Sequence, residues 1–223
     1  MDGDNILISC CMITRDEEEH VAEAIRSVEG LADEVIVVDT GSEDRTVSIA
    51  ESEGATVFSH QWKNDFSEAR NFSISKASGD WILILDADES IDREDHDRIN
   101  GLIREHPDSA FMFVQKNYSM DSSTFGWKRV PNGEGRHGAL GYHTASQVRL
   151  FRNDGIIYTG KIHEGVERSL EEKNIKILSV DSVSIHHYGR MKDTDRIRRK
   201  HELYLELGRE KLGDSPDSAR ALF

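Results

Sequence analysis

Apolar positions along the chain come either in short unbroken runs or in helical stripes. Residues 5–13 (NILISCCMI) are nearly all apolar, and 34–39 (EVIVVD) are β-branched and end in an acid. Residues 55–59 form a short third run, and 81–85 (WILIL) have no polar break. Runs this short, bounded by turn residues and charge, predict strands buried on both faces, as in a parallel sheet covered by helices. Between them the period changes. Val21, Ala24, Ile25 and Val28 share one helical face, with Thr14 and the acids of 16–19 reading as its cap and first turn. Ser42 and Gly54 read as the cap and stop of a second helix, and residues 65–77 as a third. The first 89 residues therefore predict β-α-β-α-β-α-β.

Further on, helix patterning covers 91 to about 106 and strand patterning 110–118. Periodicity is absent from 120 to 145, where glycines, Trp127, Arg136, His137 and His143 suggest a binding loop or lid. Strand character returns at 147–152 and 156–158, followed by a polar turn at 159–164 and one strand or a pair over 175–187. From 193 to about 212 the chain is polar and helical, and after a Gly-Asp-Ser-Pro break a further helix begins at Asp217. Such an ending is expected of a chain that continues past a domain boundary.

Composition narrows the function classes. No apolar run approaches the roughly 20 residues of a membrane span, and no basic segment precedes an apolar one at the start. Cys10 and Cys11, adjacent in an apolar run, suit buried reduced thiols. A cytoplasmic location is the expectation. The formal charge of -14 argues against nucleic acid, which needs clustered Lys and Arg. An anionic small ligand stays compatible when a cation mediates.

The candidate chemistry centres on residues 79–89, GDWILILDADE. Ligands of parallel sheets sit at the carboxyl ends of the strands, where Asp86 and Asp88 fall. A bare D-x-D also occurs as a solvated acidic turn. The all-apolar strand ahead of this one favours a site, since adjacent carboxylates repel and a hard divalent cation relieves the repulsion. Asp39 ends a second buried strand and can accept hydrogen bonds from a base or a ribose diol. Arg70 is a candidate to neutralise a diphosphate, His186 and His187 are candidate metal ligands, and Glu164 is a candidate general base. No G-x-G-x-x-G joins a predicted strand to a predicted helix, the match at 133–138 falling in the aperiodic stretch, and G-x-x-x-x-G-K-S/T is absent, which disfavours dinucleotide dehydrogenases and P-loop enzymes.

Six stretches carry a family resemblance: CMITRDEEE (11–19), VIVVDTGSEDRT (35–46), FSEARNFSISKASGDWILILDADE (66–89), QVRLFRN (147–153), TGKIHEGV (159–166) and IHHYG (185–189). In that order they resemble family-two glycosyltransferases of the GT-A fold, in a branch whose transferase domain precedes tetratricopeptide repeats or a short helical tail. The resemblance implies a Rossmann-like, mostly parallel α/β sheet with flanking helices. It implies a GT-A domain over 1–190, with a nucleotide-binding half (1–89) and an acceptor half (90–190), and a helical tail over 191–223 in which repeats would begin near Pro216. The activity it implies is inverting transfer from a nucleotide-sugar donor, expected to be UDP-linked, to a glycan, lipid-linked or peptide acceptor, with peripheral membrane association possible. Thr14, Arg15, Glu17 and Asp39 would hold base and ribose, Arg70 the diphosphate, and Asp86 the ribose. Asp88 with His187 or His186 would hold manganese or magnesium, and Glu164 would be the base. Two departures stand out: Gly165 follows Glu164 where other members carry a second acid, and Arg190 follows the His-Tyr-Gly run where an aromatic is common.

Two other readings compete. Nucleotidyltransferases share such a sheet, but carry a glycine-rich basic loop where this chain is acidic (16–19). A non-catalytic nucleotide-sugar-binding scaffold is disfavoured by the joint presence of Asp39, Asp86, Asp88 and Glu164.

Overall fold

The computed structural model describes residues 6–130 and 136–191. Its first half is the expected alternation. β1 (Ile8–Thr14), β2 (Glu34–Asp39), β3 (Thr56–Ser59) and β4 (Trp81–Ile84) run parallel in the order β3-β2-β1-β4. Register pairs Thr14 with Asp39, and Cys11 with both Ile36 and Ile84, so three strand ends finish along one edge. The connecting helices are α1 (Val21–Ser27), α2 (Thr46–Ser52) and α3 (Phe66–Ile74). Alternation divides the apolar runs between two cores. Cys10, Met12, Trp81, Leu83 and Leu85 pack with Val21 and Ile25 on one face, and Cys11, Ile36, Val38, Ile82 and Ile84 with Val148 and Phe151 on the other. Each fully buried aliphatic side chain contributes about 1.5–3 kcal/mol.

Local expectations shift where distant acceptors intervene. Residues 16–19 precede α1 instead of forming its first turn. The backbone N–H groups of Asp16, Glu17 and Glu18 donate to Ser42 Oγ (2.8 Å), Thr46 Oγ1 (2.6 Å) and Asp44 Oδ2 (3.2 Å). These side chains lie 26–29 residues away, so local helix propensity loses to a loop-on-loop contact. Ser42 is correspondingly not a helix cap, and Thr46 N donates to Asp44 Oδ1 at 2.9 Å where α2 begins.

The second half is mixed. β5 (Glu89–Ile91), α4 (His96–Glu105), β6 (Ser109–Ser119), β7 (Lys128–Arg129), β8 (Gly141–Arg152), α5 (Glu167–Glu172) and β9 (Lys176–His187) follow in the chain, and the sheet continues β4-β8-β6-β9-β5. The helix expected from 91 starts at His96, because Glu89–Ile91 pairs antiparallel with residues 185–187 of β9. The aperiodic stretch 120–145 is partly strand: 141–145 pair with β6, and β7 adds a short hairpin. Residues 156–158 are not a strand, α5 is an element outside the expected pattern, and 175–187 is one strand whose register slips opposite Phe113/Val114. The expected helical tail and repeat start lie outside the described residues beyond 191. Among the described residues no helix is long and apolar enough to cross a membrane.

Candidate functional site

The turn after β4 closes on itself, with Glu89 N donating to Asp86 O at 3.0 Å and Asp86 N to Glu89 Oε2 at 2.8 Å. It sends its two aspartates to different partners. Asp86 Oδ1 accepts from Arg70 at 2.8 Å, and its Oδ2 lies 3.7 Å from Arg149. Burial alone would raise the Asp86 carboxyl, but Arg70 and Arg149 hold it down at about 2. Arg70 is buried on α3, where Asp65 caps the helix by accepting from Glu68 N at 3.1 Å. Its Nε donates to Glu164 Oε1 at 2.7 Å, so one guanidinium bridges Asp86 and Glu164. The sequence suggested Arg70 for a diphosphate; the fold gives it two carboxylates.

Glu164 sits on a tied loop. Thr159 and Gly165 exchange backbone hydrogen bonds at 2.9 and 3.1 Å, and Gly160 takes φ +100° within the closed turn. Asn71, one residue after Arg70, clamps the backbone of Tyr158 from both sides, at 2.9 and 2.7 Å. The Arg70 guanidinium lies 5.4 Å from the centre of the Tyr158 ring. Burial pushes that phenol up to about 12. Guanidinium and carboxylate are thus carried on elements locked together by α3.

Asp88, almost fully buried, turns toward β9. Its Oδ2 stands 3.5 Å from His187 Nε2. A Cβ built on Gly189 would lie 2.5 Å from that nitrogen and 2.9 Å from that oxygen, so only glycine leaves the space beside the pair open. His186 points elsewhere, because neighbours on a strand face opposite ways: its Nδ1 meets the Tyr118 hydroxyl at 2.9 Å and its Nε2 meets Asp92 Oδ2 at 3.0 Å. Burial, then Arg136, lower its basicity to about 4. Both ring nitrogens of His186 thus have hydrogen-bond partners away from Asp88, and of the two candidate histidines it is His187 that faces Asp88. Among the described residues no cluster of three or more His, Cys, Asp or Glu could by itself hold a metal. An Asp–His pair nevertheless suits an ion that takes few protein ligands and fills its remaining positions with water and phosphate.

Four residues that sequence reasoning missed line the other side. Glu89, 1 % exposed, receives Arg149 at 2.7 Å and the side-chain amide of Gln115. Burial raises this carboxyl, opposed chiefly by Arg149. Asn117 Nδ2 donates to Gln115 Oε1 at 3.2 Å, and Asn117 Oδ1 faces His187 Nδ1 at 2.6 Å. The available signal was polar residues on inward positions of otherwise apolar strands: Arg149 in QVRLFRN, and Gln115 and Asn117 at the end of β6.

At the neighbouring strand ends, Asp39 accepts from Gly41 N at 3.1 Å and from Ser42 N at 3.1 and 3.2 Å, binding its own turn. Thr14 is buried beside it, and its Oγ1 has no hydrogen-bond partner among the described residues. Arg15 is half-exposed, with Nε 4.0 Å from Asp16. Glu17 begins the turn into α1, its carbonyl accepting from His20 N and Val21 N. The structure thus brings Arg70, Asp86 and Glu164 into one cluster, sets Asp88 with His187 beside it, and keeps Thr14 and Asp39 paired across β1 and β2.

The family model described as glycosyl transferase family 2 matches residues 9–163. A TPR repeat-containing protein of Synechococcus elongatus is 35% identical over 218 residues, covering 95% of this chain and 49% of its own length. The chain spans about half the length of that curated relative. Among solved structures, S. aureus TarS 1-349 in complex with UDP-GlcNAc superposes with TM-score 0.58 at 15% identity, covering 93% of this chain and 67% of that one. Glucosyl-3-phosphoglycerate synthase from Mycobacterium tuberculosis, in complex with Mn2+, UDP and phosphoglyceric acid, gives TM-score 0.57 at 18% identity, over 87% and 74%. At such identities these two share the GT-A fold.

Proposed function

The chain belongs to glycosyl transferase family 2, and from that premise we propose that it moves a sugar from a nucleoside diphosphate donor to an acceptor hydroxyl, with inversion. One observation carries the reading: a buried carboxylate and an imidazole face each other across a space kept open by a glycine, beside a guanidinium that bridges two further carboxylates. Asp88 and His187 are the pair to hold manganese or magnesium, which when bound would offset the negative charge developing on the departing diphosphate. Uridine is the proposed base, in line with the UDP and UDP-GlcNAc of the two solved structures of similar fold.

The chain's own residues then divide the work. Thr14, Arg15, Glu17 and Asp39 line the base and ribose end, a role supported by the Thr14 hydroxyl at that edge, which has no hydrogen-bond partner among the described residues, and Asp86 receives the ribose. Glu164, with Oε1 on Arg70, takes the acceptor proton on its other oxygen. As it does so, the acceptor oxygen bonds to the anomeric carbon and the bond from that carbon to the donor's phosphate oxygen breaks, a single displacement that inverts the centre. Arg70 holds Glu164 and Asp86 in alignment, and with Arg149 it keeps the Asp86 carboxyl low. Residues 1–89 serve the nucleotide and 90–190 the acceptor.

Melting the protein with UDP, GDP, ADP, CDP and dTDP, each with and without manganese, tests the donor site. One diphosphate, UDP, should stabilise only with metal, by about 2.7 kcal/mol at a hundredfold excess over its dissociation constant. No metal-dependent response to any of the five would refute the donor site. Glu164→Gln should keep that response and lose about 10²–10⁴ in turnover; full turnover would remove Glu164 as the base.

A further inference from the structure

The polar row behind His187 has a direction. Glu89 Oε1 receives Arg149 at 2.7 Å and the Gln115 amide, and Oε2 receives the Asp86 backbone N–H at 2.8 Å. Three converging donors make this carboxylate the accepting end. Gln115 must therefore turn its NH2 toward Glu89, which leaves its carbonyl oxygen for Asn117 Nδ2 at 3.2 Å. Asn117 then has only its own carbonyl oxygen to offer His187 Nδ1, 2.6 Å away. An oxygen at that distance calls for an N–H. A neutral imidazole carries just one, so Nε2 is left as the acceptor that faces Asp88 Oδ2 at 3.5 Å. Register lines the row up, since Asn117 is paired with His187 on β6 and β9, and His187 with Glu89 on β9 and β5.

We propose that Glu89, acting through the side-chain amides of Gln115 and Asn117, sets the tautomer of His187 so that Nε2 presents its lone pair toward Asp88. The purpose of this row rests on the metal-site reading above; the tautomer itself does not. Gln115 and Asn117 are positioning residues, made of neutral amides because an amide transmits orientation: one end donates while the other accepts. Partners of this kind typically raise metal affinity 10–100-fold by holding the ring in its ligating form.

Long-range 1H–15N correlation spectra of 15N-histidine-labelled, metal-free protein at pH 8 read the tautomer directly, with His187→Gln supplying the assignment. Wild type should carry the His187 proton on Nδ1. Asn117→Leu should lose that preference and weaken manganese binding in the presence of UDP about 10–100-fold. Asn117→Asp, which keeps an accepting oxygen, should retain it. Gln115→Leu should drift in the same direction as Asn117→Leu, because nothing then orients Asn117. An Nε2–H ring in wild type overturns the proposal without recourse to any variant. So does a folded Asn117→Leu protein whose tautomer is unmoved. Wild type that shows Nδ1–H yet binds no manganese with UDP supports the tautomer assignment and sinks the metal reading instead.

Discussion

His187 Nε2 and Asp88 Oδ2 stand 3.5 Å apart, and the missing side chain of Gly189 leaves the space beside them open. A methyl there would sit closer to both atoms than van der Waals contact allows. Gly189→Ala is therefore expected to abolish the metal-dependent part of UDP binding while leaving the sheet intact. Melting curves with UDP, with and without manganese, check this; a metal response equal to that of wild type would contradict it.

The two adjacent histidines should separate cleanly. His187→Ala should lose the metal response. His186→Ala should keep it and lose about 1–3 kcal/mol of stability, because the Tyr118 hydroxyl and Asp92 are deprived of a buried partner. Urea unfolding and the same melts distinguish the two, and a loss of metal response in both would refute the assignment to His187 alone.

Arg149 neutralises Glu89 in the interior. Removing one partner of a buried pair strands the other, so Arg149→Met should cost about 3–5 kcal/mol in urea unfolding. Adding Glu89→Gln should restore part of that loss, since the stranded charge is gone. A double variant no more stable than the single would show that packing, not charge, sets the cost.

Cys10 and Cys11 are buried on opposite faces of β1, and burial pushes both thiols up, Cys11 to about 12. A folded-state value above the ordinary 9.0 means the native chain holds its proton more tightly than the unfolded one. This stabilisation is complete below pH 9 and is lost as pH climbs from 9 toward 12. The thiolate is the reactive form. A disulfide reagent at pH 8 should therefore label neither cysteine until denaturant is added, and rapid labelling of the native protein would contradict the burial.

How far the site could be read in advance depended on distance along the chain. Asp86 and Asp88 were legible because the unbroken run of residues 81–85 announces a strand buried on both faces and the acids sit at its end. The acids of 16–19 misled because their N–H groups are taken by side chains of Ser42, Asp44 and Thr46, which local pattern cannot see. Residues 141–145 read locally as loop because their partner strand, β6, lies more than twenty positions back. Gln115, Asn117 and Arg149 looked like ordinary polar residues of strands. Their meaning comes from Glu89, which is 26 residues from Gln115 and 60 from Arg149.

By itself the sequence determined the alternating parallel half, the acids at its strand ends and the family, because these rest on local runs of apolar residues and contiguous motifs. Only the tertiary structure decided that His187 rather than His186 meets Asp88, that Arg70 bridges Asp86 and Glu164, and that Gly189 guards a space. The reason is register. Side chains alternate faces along a strand, so a one-residue slip of β9 against β5 and β6 would exchange the two histidines. That register is settled by pairings between residues as far apart as Glu89 and His187, which no local stretch of the chain contains.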